Sequence, residues 1–210
     1  MTQYILLIIL WIVWCVLHSV LVSPWLTGPL RKRFPYASRY YRIVYNVVSV
    51  VTLVPVLLYT FSLHGTPAFS WQGPWRFAQV ALAVSALVFF VAGARHYDLF
   101  QFLGLRQLKD EKACSVLTDD CSLDTSGALS LVRHPWYTGG ILIIWARPLD
   151  TSAILTNLVF TAYFLVGACL EERKLTAQFG PEYTDYQQRV SMFLPFKWME
   201  RRMRKKAERL

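Results

Sequence analysis

A chain of 210 residues that is 55% hydrophobic, 15% aromatic and only 17% charged has too little polar surface for a water-soluble domain, and too much apolar content for a disordered one. Its 22 Lys and Arg against 13 Asp and Glu leave a net charge of +9, yet a basic excess on so apolar a chain argues against a soluble nucleic-acid binder, whose cations sit on a polar fold. The balance is that of an all-α integral membrane protein in contact with lipid, with no nucleic acid as partner.

Four runs lack Asp, Glu, Lys and Arg: Tyr4 to Val22, Ile43 to Leu63, Phe77 to Ala94 and Thr151 to Leu170. Each is close to the roughly 20 residues that a helix needs to cross a ~30 Å hydrocarbon core. The first has no basic leading segment and ends in His18-Ser19 without a small-residue cleavage site, so it reads as a retained span rather than a signal peptide. A fifth run, Trp136 to Ala146, is too short at ~1.5 Å per residue to cross alone, and crosses only if Leu129 to Val132 extend it or if protein surrounds its ends.

Basic residues fix the orientation. All but Arg76 and Arg147 of the 22 fall after the first span, after the third, or in the tail from Glu171. The positive-inside rule then puts both large loops and the C-terminus in the cytoplasm and the N-terminus outside, which needs an odd number of spans and makes the short run a fifth transmembrane helix. A bacterial inner membrane is the expected location. Cys114 and Cys121, with six residues between them in a cytoplasmic loop, read as reduced thiols, and no metal site is expected.

Polar residues crowd against membrane at three places on the cytoplasmic side: Arg95-His96-Tyr97-Asp98, Arg133-His134-Pro135-Trp136-Tyr137-Thr138-Gly139-Gly140, and Glu171-Glu172-Arg173-Lys174. Ionisable groups at a membrane edge are costly unless paired or hydrated, and three clusters on one face outweigh simple interfacial anchoring. Pro135 suits a helix's first turn, which would set Arg133 and His134 at amides favourable to an anion. Gly139 and Gly140 strip the next turn of side chains, leaving room for a planar ligand or a neighbouring helix. The last long helix is expected to run through the Glu pair and stop at Gly180-Pro181. Beyond it Tyr183, Tyr186 and Val190 share one face, either packed on the bundle or set against a cationic ligand. The run Arg201-Arg202-Met203-Arg204-Lys205-Lys206 suits anionic headgroups.

Arg133-His134-Pro135-Trp136-Tyr137-Thr138-Gly139, a hairpin, then Glu171-Glu172-Arg173-Lys174-Leu175 with Phe179-Gly180-Pro181-Glu182-Tyr183 and Tyr186 resemble the RHPxYxG…EExxLxxxFGxxYxxY signature of the isoprenylcysteine carboxyl methyltransferase superfamily, over about a third of the chain. Leu17-His18-Ser19, Tyr41-Arg42-Ile43-Val44-Tyr45-Asn46, Tyr97-Asp98-Leu99-Phe100 and Leu103-Gly104-Leu105-Arg106-Gln107-Leu108 are similar to an NnrU-like and methanethiol S-methyltransferase-like branch. The resemblance implies an integral membrane enzyme that uses S-adenosylmethionine, with Arg133, His134, Tyr137, Gly139, Glu171, Glu172, Tyr183 and Tyr186 at a cytoplasmic-face cofactor site. It divides the chain into a membrane region 1–94, a cytoplasmic loop 95–133, a methyltransferase-like hairpin and cofactor segment 134–196, and a basic tail 197–210.

Two departures bear on the methyl acceptor. Gly167-Ala168-Cys169-Leu170 stands where carboxyl-methylating members carry an Arg-Ile pair, and Val190-Ser191 replaces their Val-Pro. Without that Arg a carboxylate acceptor loses its natural partner, so the expected acceptor is small or lipophilic, a thiol first. Arg95, His96 and Glu172 are the candidate catalytic residues, the first two as cationic neighbours that favour a thiolate. Two rival readings are a membrane reductase with a nicotinamide cofactor, and a non-catalytic NnrU-like factor associated with heme or quinone, with His18 and His96 as axial ligands.

Overall fold

The structure, a computed structural model, describes residues 1–34, 36, 39–94, 103 and 123–207. Arg95, His96, Cys114, Cys121 and the loop from Lys109 as far as residue 122 lie outside the described residues.

The charge-free runs become helices long and apolar enough to cross a membrane: α1 (Thr2–Val22), α3 (Tyr41–Ser62), α4 (Trp75–Ala94) and α6 (Thr151–Phe179). Their outward faces carry large apolar side chains such as Val51, Leu58, Phe77 and Leu87, each more than 60% exposed, a surface suited to lipid and costly in water. Shorter helices are α2 (Pro24–Arg33), α5 (Pro135–Trp145), α7 (Pro181–Arg189) and α8 (Phe196–Ala207), with a 3-10 turn at Gly127–Ser130. Among the described residues there are no strands, only isolated bridges between Phe69 and Leu149 and between Val132 and Ser191.

The chain divides into two compact units. The first holds α1, α2, α3 and the start of α6 to Tyr163. Leu7, Trp11 and Val56 form its buried centre, where the Trp11 indole donates to Thr60 Oγ1 at 3.1 Å and meets Phe160 edge-on at 4.7 Å. His18 is built into this packing. Its Nδ1 lies 3.1 Å from Ser49 Oγ, its Nε2 lies 2.6 Å from the Tyr45 hydroxyl, and Trp14 stacks on its ring. Both ring nitrogens are thus in hydrogen bonds, the role of a packing histidine.

Asp150 fastens the entry to α6. Its Oδ1 accepts from the Ala153 amide and the Ser152 hydroxyl, both at 2.7 Å, and its Oδ2 accepts from the Gly65 amide at 3.2 Å. One carboxylate caps the helix and ties it to the loop after α3.

The second unit holds α4, α5, the rest of α6, α7 and α8. Here α5 runs antiparallel to α4, from Trp136 against Gly93 to the Ala146 carbonyl, which accepts from Gln79 Nε2 at 2.8 Å. Glycines make the approach possible. A Cβ on Gly139 would stand 3.1 Å from the Ala86 carbonyl, and one on Gly140 would stand 3.0 Å from the Phe164 ring. Of the two neighbours open to the glycine pair, the structure supplies helices. The short run is an 11-residue helix, not itself of spanning length, lying along a helix that is.

Continuous helix carries Glu171 and Glu172 as far as Phe179 and ends where the sequence predicts, with Gly180 at a φ of +57° and Pro181 opening α7. A side chain at Gly180 would be strained by that backbone conformation alone.

Asp150 yields a test. Burial pushes its carboxyl up, but the Ala153 amide, the Ser152 hydroxyl and the Gly65 amide outweigh burial and hold it below the ordinary carboxylate value. A depressed folded value stabilises above the unfolded pKa of about 4 and is lost as pH falls through the folded one. Asp150→Ala is expected to lower stability by about 1 kcal/mol at neutral pH, and the gap to the parent protein should narrow below about pH 4. Detergent-phase unfolding curves across pH would show it, and a gap constant with pH would contradict it.

Candidate active site

Arg133 and His134 immediately precede α5, whose first turn opens with Pro135. Their backbone amides donate to the Ser191 and Met192 carbonyls at 2.9 and 3.1 Å, a short pairing that brings the chain leaving α7 alongside the entry to α5. Those amides are therefore taken by the chain itself and are closed to an anionic ligand. One turn on, the Thr138 hydroxyl lies 2.9 Å from the His134 carbonyl and 3.1 Å from that of Phe193, extending the same contact.

Glu172 sits at the centre. It is 7% exposed, and its Oε1 accepts from Arg133 Nε at 2.6 Å and lies 3.1 Å from His134 Nε2, while its Oε2 accepts from Gln187 Nε2 at 2.8 Å. Arg133 also donates through Nη1 to the carbonyls of Gln187 and Val190. A buried carboxylate needs such neighbours, and here both of its oxygens are engaged. Glu172 fastens the entry of α5 and the end of α7 to α6.

Glu171, one residue earlier and so about 100° around the helix, is the more open carboxylate, with its side chain 31% exposed. Its Oε2 lies 3.7 Å from His134 Nδ1, so His134 turns one ring nitrogen to each glutamate. Glu171 lines a cleft with Asp124, Arg133, His134, Tyr183 and Tyr186 over a floor that includes Leu129 and Leu175. The tyrosines are 1% and 3% exposed, meet edge-on at 5.7 Å, and pack with Leu175 and Val190. The Tyr186 hydroxyl donates to the Leu129 carbonyl at 2.6 Å. Burial pushes both phenols above their ordinary values, so they remain neutral, Tyr183 further raised by the nearby Glu172 charge.

Of the residues singled out in the sequence, Arg133, His134, Glu171, Tyr183 and Tyr186 line this one cleft. Glu172 stands behind it in the ion pair. Tyr137 is stacked between His134 at 5.4 Å and Phe164 at 5.7 Å. Gly139 faces Ala86 and Phe90. Arg95 and His96 lie outside the described residues. Three participants carried no sequence signal: Gln187, a polar residue on a polar helix; Asp124, in the loop before the 3-10 turn; and Lys197, whose ammonium donates to the Gln187 carbonyl at 2.8 Å. Ser191, noted only as a departure, puts its hydroxyl 3.1 Å from the Lys197 amide in the first turn of α8, a cap that proline could not supply.

The chain is similar to known proteins over most of its length. The family model described as NnrU protein matches residues 6–200. Methanethiol S-methyltransferase 2 of Bradyrhizobium diazoefficiens is 34% identical over 191 residues, 88% of this chain and 70% of its own length. A methanethiol S-methyltransferase of a Pseudomonas species is 30% identical over 156 residues, of which the chain spans 58% of that protein's length. A rice protein described as a probable protein-S-isoprenylcysteine O-methyltransferase is 38% identical over 86 residues, 37% of this chain and 43% of its own. No solved structure matches.

The ion pair makes a direct prediction. Arg133→Ala leaves a buried carboxylate without its cation, and stability is expected to fall by about 3–5 kcal/mol. Gln187→Ala, which removes one neutral donor, should cost closer to 1 kcal/mol. Chemical unfolding of the detergent-solubilised variants measures both, and an Arg133→Ala protein as stable as the parent would show that Glu172 is not what fastens these segments.

Proposed function

The chain belongs to the NnrU protein family, and from that premise we propose an integral membrane methyltransferase that uses S-adenosylmethionine and acts on a small or lipophilic thiol. The observation that carries the reading is the cleft, where Glu171 and Asp124 stand among two buried neutral tyrosine rings beside Arg133. The chemistry of that donor set fits the proposed cofactor, and the cleft, about 20 Å³ in this structure, has to widen to admit it. Carboxylates suit an ammonium group and ribose hydroxyls, neutral aromatic rings suit a sulfonium, and Arg133 Nη2, which has no partner among the described residues, suits a carboxylate. When bound, the cofactor supplies a methyl group on a positively charged sulfur.

In this reading Glu171, Arg133, Tyr183 and Tyr186 bind and orient the cofactor, and His134 sets the side-chain position of Glu171. Glu172 acts through Arg133 and His134 as a positioning residue. Methyl transfer to a thiol needs alignment and exclusion of water more than acid–base help, and the tight floor of Leu129, Leu175 and the tyrosines serves exclusion. Arg95 and His96 are proposed to favour the acceptor thiolate. The names of the bacterial relatives support a thiol acceptor, as does the segment 167–170. Ala168 is wholly buried, and no cation from that segment is available to a carboxylate.

We further propose five crossings with the N-terminus outside and the C-terminus in the cytoplasm of a bacterial inner membrane. The alignment of α5 with α4 from Gly93 to Gln79, over which α4 rises about 21 Å of a ~30 Å core, supports a fifth crossing that α5 makes only with its ends lined by protein.

Binding of S-adenosylhomocysteine to the purified protein, followed by calorimetry, is the primary test. Glu171→Ala is expected to weaken it about 10- to 100-fold, the range of a charge-assisted hydrogen bond, with unfolding unchanged. Glu172→Ala should lower binding and stability together. Release of dimethyl sulfide from methanethiol and S-adenosylmethionine checks the acceptor. A protein that binds neither form of the cofactor would overturn the proposal.

A further inference from the structure

Beyond the methyl-transfer reading, and independent of it, α8 carries a second concave site. A cleft of about 730 Å³ opens between α8 and the turn Gly127–Ser130, lined by Ser130, Trp198 and Met203 together with Arg201, Arg202, Lys205 and Lys206. The cations recur three and four residues apart, so they form one helical face about Trp198, with the Arg202 guanidinium over the indole at 4.9 Å. The single acid of α8, Glu200, is paired with Arg204 at 2.9 Å, so among the described residues no acid of α8 itself is left for the four cleft cations. An apolar stripe of Phe196, Met199 and Met203, 65%, 47% and 64% exposed and also spaced by three and four residues, runs beside the cations and meets the cleft at Met203.

Charge complementarity and this apolar stripe together select the ligand. A free anion would use the cations and ignore the stripe, whereas a lipid uses both, headgroup against the cations and chains beside the stripe. The location agrees. α8 begins three residues after Phe193, whose carbonyl meets Thr138 in the first turn of α5, so it departs from the mouth of the helix that lines α4.

We propose that the cleft between α8 and Gly127–Ser130 binds the phosphodiester headgroup of an anionic phospholipid, with Arg201, Arg202, Lys205 and Lys206 around the phosphate and Phe196, Met199 and Met203 in the acyl boundary. This is more specific than a tail attracted to a charged surface. It predicts a defined stoichiometry, and it makes Ser130, far from the tail in sequence, part of the site.

The test uses the full chain in a zwitterionic detergent, titrated with phosphatidylglycerol or phosphatidylcholine and followed by native mass spectrometry. One phosphatidylglycerol is expected to be retained in preference to phosphatidylcholine. Replacing the four cations by Ala should weaken retention at least about a hundredfold, from roughly fivefold for each charge. Ser130→Glu, which adds a carboxylate to the cleft without altering the tail, should weaken it too. Phe196→Ser with Met199→Ser, both outside the cleft lining, should weaken phosphatidylglycerol while leaving any binding of glycerophosphate unchanged. Equal retention of both lipids, indifference to Ser130→Glu, or displacement of the lipid by millimolar inorganic phosphate would each overturn the proposal, the last by assigning the cleft to a free anion. S-adenosylhomocysteine binding by the same variants is a separate readout, so failure here leaves the methyl-transfer reading standing.

Discussion

A carboxylate removed from water must be met by charge and hydrogen bonds, and the second unit is organised around meeting that demand at Glu172. Its partners come from separate stretches of chain: Arg133 and His134 before α5, and Gln187 near the end of α7. Each is held a second time. Arg133 reaches the Gln187 and Val190 carbonyls, the His134 amide pairs with Met192, and the Gln187 carbonyl receives Lys197. The net worth of such a buried pair over an apolar substitute is small, because desolvation cancels much of the attraction. What it provides is register. This arrangement of the segments satisfies both carboxylate oxygens, so the walls of the cleft are held by a group that stands behind it.

Consecutive glutamates then divide two tasks. Helix geometry turns neighbouring side chains about 100° apart, so if Glu172 points inward to the ion pair, Glu171 points towards the cleft. His134 touches both and transmits the order of the buried residue to the open one. Either task alone would need one acid. Buried structure and an accessible carboxylate at the same level of the helix need two in succession.

Four spans were legible in the sequence because lipid imposes composition residue by residue, and so were the helix end at Gly180-Pro181 and the shared face of Tyr183, Tyr186 and Val190. The clustering of Arg133, His134, Glu171 and the tyrosines was also legible, from their order along the chain. What escaped was carried by backbone or by single polar side chains. The pairing of 132–134 with 191–192 uses main-chain groups present at every residue, and Gln187 looks like any solvated glutamine until its carbonyl and amide are seen at work. Gly139 and Gly140 were ambiguous for a physical reason: absence of a side chain admits a ligand or a helix equally, and only the positions of Ala86, Phe90 and Phe164 decide. Asp150, a lone acid before an apolar run, was readable as a cap but not as the tie to Gly65.

The two departures from the isoprenylcysteine-type pattern carry further physical content. Ser191 caps α8 through its hydroxyl, so the change from proline fixes where the basic helix begins. Beside Ala168, Gly167 lies next to the hydroxyl of Tyr137, whose ring stacks between His134 and Phe164, and the segment 167–170 carries no cation. A carboxylate acceptor would find no cation in that segment, and an unpaired carboxylate is costly to desolvate. A small thiol arrives neutral, crosses lipid readily, and becomes charged only as its proton departs, so it requires a cation late and briefly rather than as a permanent feature of the binding wall. On that account the missing arginine is not a defect of the site. A neutral acceptor, as proposed, would leave it unnecessary.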